Sequence, residues 1–316
     1  RTIWPAHNLP PGFDPVHILE LGKNPGMGVD GIHAQGITGR GVGIAIIDQP
    51  LLIEHIEYTD RLQWYEEIPG SLLGSRAAIH GPAVASLAVG RTVGVAPEAD
   101  LYYIGGAGSS LTSIALYSHD YAQAIQRVLQ INEQLPVDRR IRVISISSGW
   151  VPWMAGYDDV TAAVRQAEEA GIMVITVDSG TALPGNTGLG GLGRPPMADP
   201  DAFESYEPGS WWATEFYAGG FHFSRLLVPM DSRTVASPAG SHDYAFSRVG
   251  GGSWTSPYLA GMYALAVQVE PTITPDGFWD TALQTGRVVE VEHEGRMFSL
   301  GTIVDPVALI DELINQ

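Results

Sequence analysis

Residues 42–47, Val-Gly-Ile-Ala-Ile-Ile, form a short, almost wholly apolar run that ends directly at Asp48. Three further runs of this kind follow, at residues 101–104, 141–146 and 172–177. Such unbroken runs are typical of strands buried on both faces, as in a parallel sheet. We therefore predict a parallel sheet whose first strand carries an acidic residue at its carboxyl end.

Amphipathic patterns with helical spacing lie between these runs, and this alternation predicts an α/β fold with helices on both faces of the sheet. The predicted crossover helices cover residues 83–89, 121–131 and 160–170. A last apolar run at 258–269 predicts a buried helix, 302–314 predicts a closing amphipathic helix, and the Gly/Pro-rich stretch 181–203 predicts a long surface loop.

The length of the chain suits one large domain. Its 316 residues are 45% hydrophobic, enough to build a sizeable core. The first ~30 residues are rich in Pro and Gly, which predicts an arm without regular structure lying over the domain surface. We expect an N-terminal arm at residues 1–28 and a catalytic domain at residues 29–316.

The charge balance excludes several functions. Lys and Arg number 17 against 35 Asp and Glu, a formal net charge of −18, which argues against binding nucleic acid or an acidic membrane surface. The chain has no cysteine, so disulfides, thiolate metal sites and cysteine nucleophiles are excluded. The run at 258–269 is shorter than the ~18–20 residues of a membrane span. We expect a monomer without a membrane span.

Three polar residues stand where an α/β sheet places its chemistry, outside the carboxyl ends of the strands or at helix starts. Asp48 follows the first strand, and an acid there either orients a base or begins a turn. His80 precedes a helical run, where a single histidine is more often structural. Ser253 lies between a glycine run and the buried helix, so it either caps that helix or acts as a nucleophile.

Four motifs in order give these residues a context. They are VDGIHAQGITGRGVGIAIID at 29–48, HGPAVAS at 80–86, GVAPEADL at 94–101 and GSWTSPYLAG at 252–261. They resemble the segments around the catalytic Asp, His and Ser of subtilisin-like serine proteases. Their order, Asp then His then Ser, separates that family from chymotrypsin-like and α/β-hydrolase enzymes.

This resemblance covers about two thirds of the chain and implies a three-layer α/β/α fold with a mostly parallel sheet of about seven strands. It implies a catalytic triad of Asp48, His80 and Ser253, in which Ser253 attacks the scissile carbonyl and forms an acyl-enzyme. It also implies that a polypeptide substrate lies in extended form against Ser147 and Gly149.

The oxyanion hole departs from the subtilisin pattern. Subtilisins have Asn in Gly-Asn-x-Gly after the fourth strand, whereas Asp178-Ser-Gly180 stands here, which resembles sedolisins. An ionised carboxylate only accepts hydrogen bonds, so Asp178 serves as a donor only if protonated. Asn186 is the alternative donor, with Asp178 then capping a turn. Asp48-Gln-Pro50 also replaces the usual Asp followed by Ser or Thr and Gly.

A serine endopeptidase is therefore the leading hypothesis. The alternative is a catalytically weakened pseudoprotease that binds peptides or regulates, which Asp178 favours. An α/β-hydrolase esterase is disfavoured because Gly-x-Ser-x-Gly does not surround Ser253. Catalysis of this type requires no cofactor. We assign no metal, although the acidic loop at Asp199 and Asp201 is compatible with structural calcium. The resemblance favours a secreted or periplasmic protein and is compatible with a propeptide as a partner.

Overall fold

The computed structural model describes residues 2–5, 7, 9–68, 77–107, 114–177, 189–219 and 226–315. Its strands are β1 Gly43–Asp48, β2 Leu62–Glu67, β3 Asp100–Gly105, β4 Ile141–Ile146, β5 Met173–Thr176, β6 Leu189–Gly193, β7 Glu207–Pro208, β8 Leu226–Pro229, β9 Arg233–Ala236, β10 Tyr244–Ser247, β11 Arg287–His293 and β12 Arg296–Ile303. Its α-helices are α1 Pro15–Lys23, α2 Val29–Ala34, α3 His80–Val89, α4 Ile114–Gln134, α5 Tyr157–Glu169, α6 Ala213–Tyr217, α7 Thr255–Val269, α8 Pro275–Thr285 and α9 Pro306–Asn315.

The main sheet has the order β2-β3-β1-β4-β5, and every neighbouring pair in it is parallel. The first strand is central, with Ile44 level with Leu101 of β3 and Val143 of β4. Because all five strands run the same way, their carboxyl ends meet at one edge. Asp48 lies at this edge, beside Gly105 of β3.

The expected count of about seven strands in one sheet is not met by the residues that the structure describes. The parallel pair β6 and β8 belongs instead to a second sheet of order β11-β12-β8-β6-β7. That sheet is mixed, since β7 and β11 join it in antiparallel pairs. The predicted α/β class and its parallel sheet are confirmed, and the strand count is corrected.

The two faces of the main sheet bury two separate layers of side chains. Ile44 and Ile46 of β1 join a core with residues of α3 and α7, whereas Ala45 and Ile47 join one with residues of α4 and α5. Alternate residues of a strand point to opposite faces, so a fully apolar strand is required where helices cover both. The prediction of helices on both faces is confirmed.

The central helix α7 is buried along nearly its whole length, from Thr255 to Val267. It packs so closely that a Cβ added to Gly261 would lie 2.6 Å from Val95 Cβ. A helix that is apolar on all sides fits such an enclosed position. The predicted buried helix at 258–269 is confirmed, and it begins at Thr255, directly after Ser253.

Residues 189–193 were predicted to lie in a surface loop, and this prediction is wrong. They form the buried strand β6, Leu-Gly-Gly-Leu-Gly. Its glycines allow close packing, since a Cβ on Gly191 would lie 2.2 Å from Met230 Sδ. Glycine weakens a strand pattern in the sequence but permits the close approach that this strand needs. The predicted helix at 302–314 also begins later, at Pro306, because β12 extends to Ile303.

The N-terminal arm contains a helix where the sequence predicted irregular structure. Asp14 caps α1 by accepting hydrogen bonds from the backbone N–H groups of Val16 and His17, each at 3.0 Å. Proline at the first helical position needs no N–H partner, so Pro15 suits a helix start. The helix packs on β9, where Thr234 Oγ1 donates to the Leu19 carbonyl at 2.8 Å. The domain boundary after residue 28 stays a prediction.

Among the described residues, no helix combines the length and apolar character needed to cross a bilayer. The longest of them, α4, has 21 residues and is amphipathic.

Candidate active site

Asp48 ends β1 at the carboxyl edge of the sheet and is 4% exposed. Its Oδ1 accepts a hydrogen bond of 2.7 Å from the backbone N–H of Gln49. A carboxylate that is nearly excluded from water needs such donors, since burying an unpaired charge is costly. The turn after the strand therefore fixes this side chain instead of leaving it to point into solvent.

His80 is the first residue of α3, as its position before an apolar helical run predicted. Its Nδ1 lies 2.6 Å from Asp48 Oδ1, the distance of a strong charge-assisted hydrogen bond. The side chain of His80 is 24% exposed, against 5% for Asp48. A buried carboxylate thus binds one ring nitrogen of a partly accessible imidazole, which orients the ring and fixes its tautomer.

Two opposing effects act on the pKa of His80. Burial lowers it by penalising the imidazolium, while the hydrogen bond to Asp48 and the negative charge of Asp48 raise it. The pKa of His80 ends above its ordinary value because the two effects of Asp48 together exceed that of burial. Asp48 therefore stabilises the protonated imidazole, which is the state that a general base reaches once it has accepted a proton.

Ser253 lies in the short 3₁₀ turn Gly252–Trp254 that leads into α7. Its Oγ donates to the backbone carbonyl of Ser147 at 3.4 Å, and Ser147 Oγ donates to the carbonyl of Ser253 at 2.8 Å. The ring of Trp254, the next residue, lies 5.6 Å from the ring of His80. The structure thus brings Ser253 to the edge of the sheet that carries Asp48 and His80, and the hydroxyl of Ser253 is hydrogen-bonded to the carbonyl of Ser147.

Ser147 and Gly149 directly follow β4, whose end lies next to the end of β1. Gly149 has no room for a side chain, because a Cβ there would lie 2.7 Å from the carbonyl oxygen of Val177. The backbone at 148 accepts a hydrogen bond of 3.1 Å from the N–H of Val177. Ser147 therefore lies beside Ser253 and Gly149 lies against Val177, and their part in substrate binding stays a prediction.

The predicted oxyanion donors, Asp178 and Asn186, lie outside the described residues, and so does the sedolisin-like segment 178–180. The last described residue before them is Val177, which follows β5.

The acidic loop at Asp199 and Asp201 fixes the N-terminal arm. Asp201 accepts hydrogen bonds from the N–H of Gly28 at 2.8 Å and from Asn24 Nδ2 at 3.0 Å, and Asp199 accepts one from the N–H of Asp201 at 2.9 Å. In the described ranges, no three His, Asp or Glu residues form a group that could hold a metal ion. Structural calcium stays a prediction.

Two tyrosines beside the Asp48–His80 pair were not predicted. Tyr103 of β3 donates a hydrogen bond of 2.6 Å to the carbonyl of Gln49, and Tyr65 of β2 accepts one of 3.4 Å from the N–H of Leu51. In the sequence Tyr103 is one of four apolar-looking strand residues, and its hydroxyl gives no signal of where it points.

Comparisons with known protein families, sequences and solved structures agree with this fold. Residues 39–181 match the model of the subtilase family, a range that includes Asp48 and His80 and ends before Ser253. Over this range the chain is similar to the subtilase family of serine proteases. It is 26% identical over 275 residues to an extracellular serine proteinase of Thermus sp. (strain Rt41A), and 25% identical over 241 residues to subtilisin-like protease 2 of Arthroderma otae.

These alignments cover 85% and 75% of this chain, but only 60% and 52% of the two relatives. Two solved structures share its fold over 92% of its length. The prenylagaramide maturation protease PagA gives a TM-score of 0.62 at 17% identity with 99% of its chain covered, and the PatG macrocyclase domain gives 0.61 at 14% with 95% covered. The fold is thus common to proteins with different named activities.

Proposed function

We propose that this chain is a serine endopeptidase that hydrolyses peptide bonds through an acyl-enzyme on Ser253. The observation that carries the proposal is the 2.6 Å hydrogen bond between Asp48 and His80 at the sheet edge that also carries Ser253. The match of residues 39–181 to the subtilase-family model and the two protease-named relatives support it. The substrate is a polypeptide, bound against residues 147–149.

In the proposed reaction, Ser253 Oγ leaves the Ser147 carbonyl and donates its proton to His80 Nε2 as it attacks the scissile carbonyl carbon. The tetrahedral intermediate collapses to the acyl-enzyme while His80 transfers that proton to the leaving amine. Asp48 stabilises the imidazolium through the Nδ1 hydrogen bond. A water molecule then attacks the acyl carbonyl carbon while His80 takes one of its protons. The ester bond to Ser253 breaks, His80 returns the proton to Ser253 Oγ, and the acid product leaves.

The backbone N–H of Ser253, at the start of α7, is the proposed donor to the oxyanion. Asp178 in its protonated form, or Asn186, completes the hole. Losing one such donor costs about 10²–10³ in turnover. If Asp178 is the second donor, the donating fraction of its carboxyl grows toward lower pH, while protonation of the base His80, whose pKa is raised, stops the reaction there, so activity should be confined to a narrow pH range.

Labelling with a biotinylated fluorophosphonate tests this proposal. The reagent should modify the wild-type chain at one site, mapped to Ser253 by peptide mass spectrometry, and Ser253→Ala should lose both the label and cleavage of a denatured protein substrate. Ser256→Ala, which alters the next serine along this segment, is the matched control and should keep the label. Cleavage that persists in Ser253→Ala contradicts the assignment.

The alternative function is that of a weakened pseudoprotease that binds peptides without efficient cleavage. The hydrogen bond of Ser253 to Ser147, in place of His80, is the observation that favours it. Unlabelled Ser253, together with peptide binding and no cleavage between pH 4 and pH 9, decides for this function. We expect a secreted protein in either case, as the Thermus relative is named extracellular.

A further inference from the structure

The turn that follows Asp48 has an unusual set of contacts. Gln49 and Pro50 form it, and proline has no N–H with which to fix a turn. Tyr103, which is fully buried on the neighbouring strand β3, donates a hydrogen bond of 2.6 Å to the Gln49 carbonyl. The hydrogen bond from this side chain of the sheet therefore fixes the position of the turn.

A second tyrosine supports the first. The ring of Tyr65 on β2 stacks on that of Tyr103 at 5.9 Å and 28°. Its hydroxyl accepts a hydrogen bond of 3.4 Å from the N–H of Leu51 and donates one of 2.6 Å to Glu67 Oε1. The two phenols thus contact both ends of the turn 49–51.

The first residues of α3 lie against the same turn. A Cβ added to Gly81 would lie 2.5 Å from the Gln49 carbonyl oxygen, 2.7 Å from the Tyr103 hydroxyl and 2.8 Å from the Pro50 carbonyl oxygen. Gly81 directly follows His80. The turn that follows Asp48 and the helix start that follows His80 therefore lie against each other, next to the hydroxyl of Tyr103.

We propose that Tyr103 is a positioning residue for the Asp48–His80 pair, holding the turn 49–51 against the start of α3 with the support of Tyr65. Its hydroxyl donates to the backbone carbonyl of Gln49 and lies against Gly81, so Tyr103 acts through the backbone next to Asp48 and His80. Its catalytic consequence rests on the proposed protease function, while its effect on the geometry of the pair does not.

The phenol of Tyr103 stays a donor across the working pH range. Burial first, and then the negative charge of Asp48, raise its pKa well above the usual value. Phenylalanine at this position keeps the ring and its packing but removes the donor to Gln49. The turn is then free to shift, and a shift of a few tenths of an ångström lengthens the short bond between Asp48 and His80.

The pKa of His80, measured by NMR of histidine-labelled protein, reports this bond without requiring activity. Asp48 supplies both the hydrogen bond and the charge that raise it, and the uncharged ring of Trp254 faces His80 from the segment leading into α7. The experiment compares Tyr103→Phe with Tyr102→Phe, all in Ser253→Ala protein to prevent self-digestion, with the His80 signal assigned from His80→Gln.

We expect the pKa of His80 to fall in Tyr103→Phe and to stay unchanged in Tyr102→Phe. Tyr102 is the matched control, because it lies on the same strand and packs in the core on the opposite face of the sheet. In the active protein, Tyr103→Phe should lower kcat by about tenfold with KM nearly unchanged, since small displacements of reacting groups cost rate more than binding.

An unchanged pKa of His80 in folded Tyr103→Phe overturns the proposal, even if the melting temperature falls. A lowered pKa in a protein that shows no protease activity supports the positioning role and counts against the protease function alone. If Tyr103→Phe does not fold, Tyr65→Phe replaces it. It should shift the pKa of His80 in the same direction by less, and no shift in that variant overturns the proposal.

Discussion

The two halves of the candidate site are built differently. Asp48 and His80 lie at the end of a buried strand and the start of a helix, and their 2.6 Å hydrogen bond is already formed. Ser253 lies on a turn preceded by Gly250, Gly251 and Gly252, and its hydroxyl is directed to Ser147. The base is thus preorganised by regular structure, whereas the nucleophile has an alternative partner within reach.

This difference indicates which half of the site must rearrange before reaction: the Asp48–His80 bond is already formed, whereas Ser253 is bonded to Ser147. In the proposed reaction the Ser253 hydroxyl must exchange the Ser147 carbonyl for His80, and a serine hydroxyl changes direction by rotation about a single side-chain torsion. Catalytic hydrogen bonds are often long in structures without substrate and tighten in the complex. The comparison therefore predicts larger effects from changes to the Asp48–His80 half than from changes to the contacts of Ser253.

The largest effect should come from Asp48→Asn, which keeps the shape of the side chain and removes its charge. We expect kcat to fall by about 10³–10⁴, because the imidazolium is no longer stabilised and the tautomer is no longer fixed. The pKa of His80 should fall as well, since the hydrogen bond and charge that raise it come from Asp48. Steady-state kinetics and an NMR titration of His80 measure the two. An unchanged pKa contradicts the geometry of the pair.

A smaller effect should follow from Gly261→Ala, which disturbs the helix α7 that follows the turn of Ser253. The new methyl would lie 2.6 Å from Val95 Cβ, so we expect the free energy of unfolding to fall by about 1–3 kcal/mol. Gly31→Ala is the control: Gly31 lies in α2 with nothing within 4 Å of an added Cβ. It should stabilise by about 0.5–1 kcal/mol. Urea denaturation of both in Ser253→Ala protein measures the difference, and equal effects contradict the close packing of α7.

The smallest effect should come from Ser147→Ala, which removes the 2.8 Å hydrogen bond to the carbonyl of Ser253. We expect a loss of about 1 kcal/mol in the free energy of unfolding, the usual net value of one such bond. The backbone carbonyl that Ser253 uses remains, so labelling by the fluorophosphonate should be slowed by less than about tenfold. If Ser147→Ala slowed labelling by as large a factor as Asp48→Asn lowers kcat, Ser253 would be held as rigidly as His80.

Some of this architecture was readable from the sequence because it depends on local patterns. The apolar run ending at Asp48 predicted a strand buried on both faces, and the run after Ser253 predicted a buried helix. Each pattern has a direct physical cause, since helices cover both faces of β1, and α7 is packed between helices and strands of both sheets. The four motifs then gave the family resemblance, and the order of Asp48, His80 and Ser253 separated it from other serine hydrolases.

Other elements escaped prediction because their stability comes from neighbours far away in the chain. The strand β2 is an edge strand with exposed residues, so its sequence lacks an apolar run. β6 is rich in glycine and is specified by the packing of Met230 against it. The helix α1 is held by β9, more than two hundred residues later. A period in the sequence cannot report such partners.

The sequence by itself determined the fold class, the family resemblance and the three residues proposed for catalysis, because strand and helix periods and short motifs are local properties. Only the tertiary structure decided how those residues meet. It joined Asp48 to His80, directed Ser253 to Ser147 and set Tyr103 beneath the turn at Gln49. These contacts depend on the register of β1 and β3 and on where α3 and α7 begin, and chain packing fixes both.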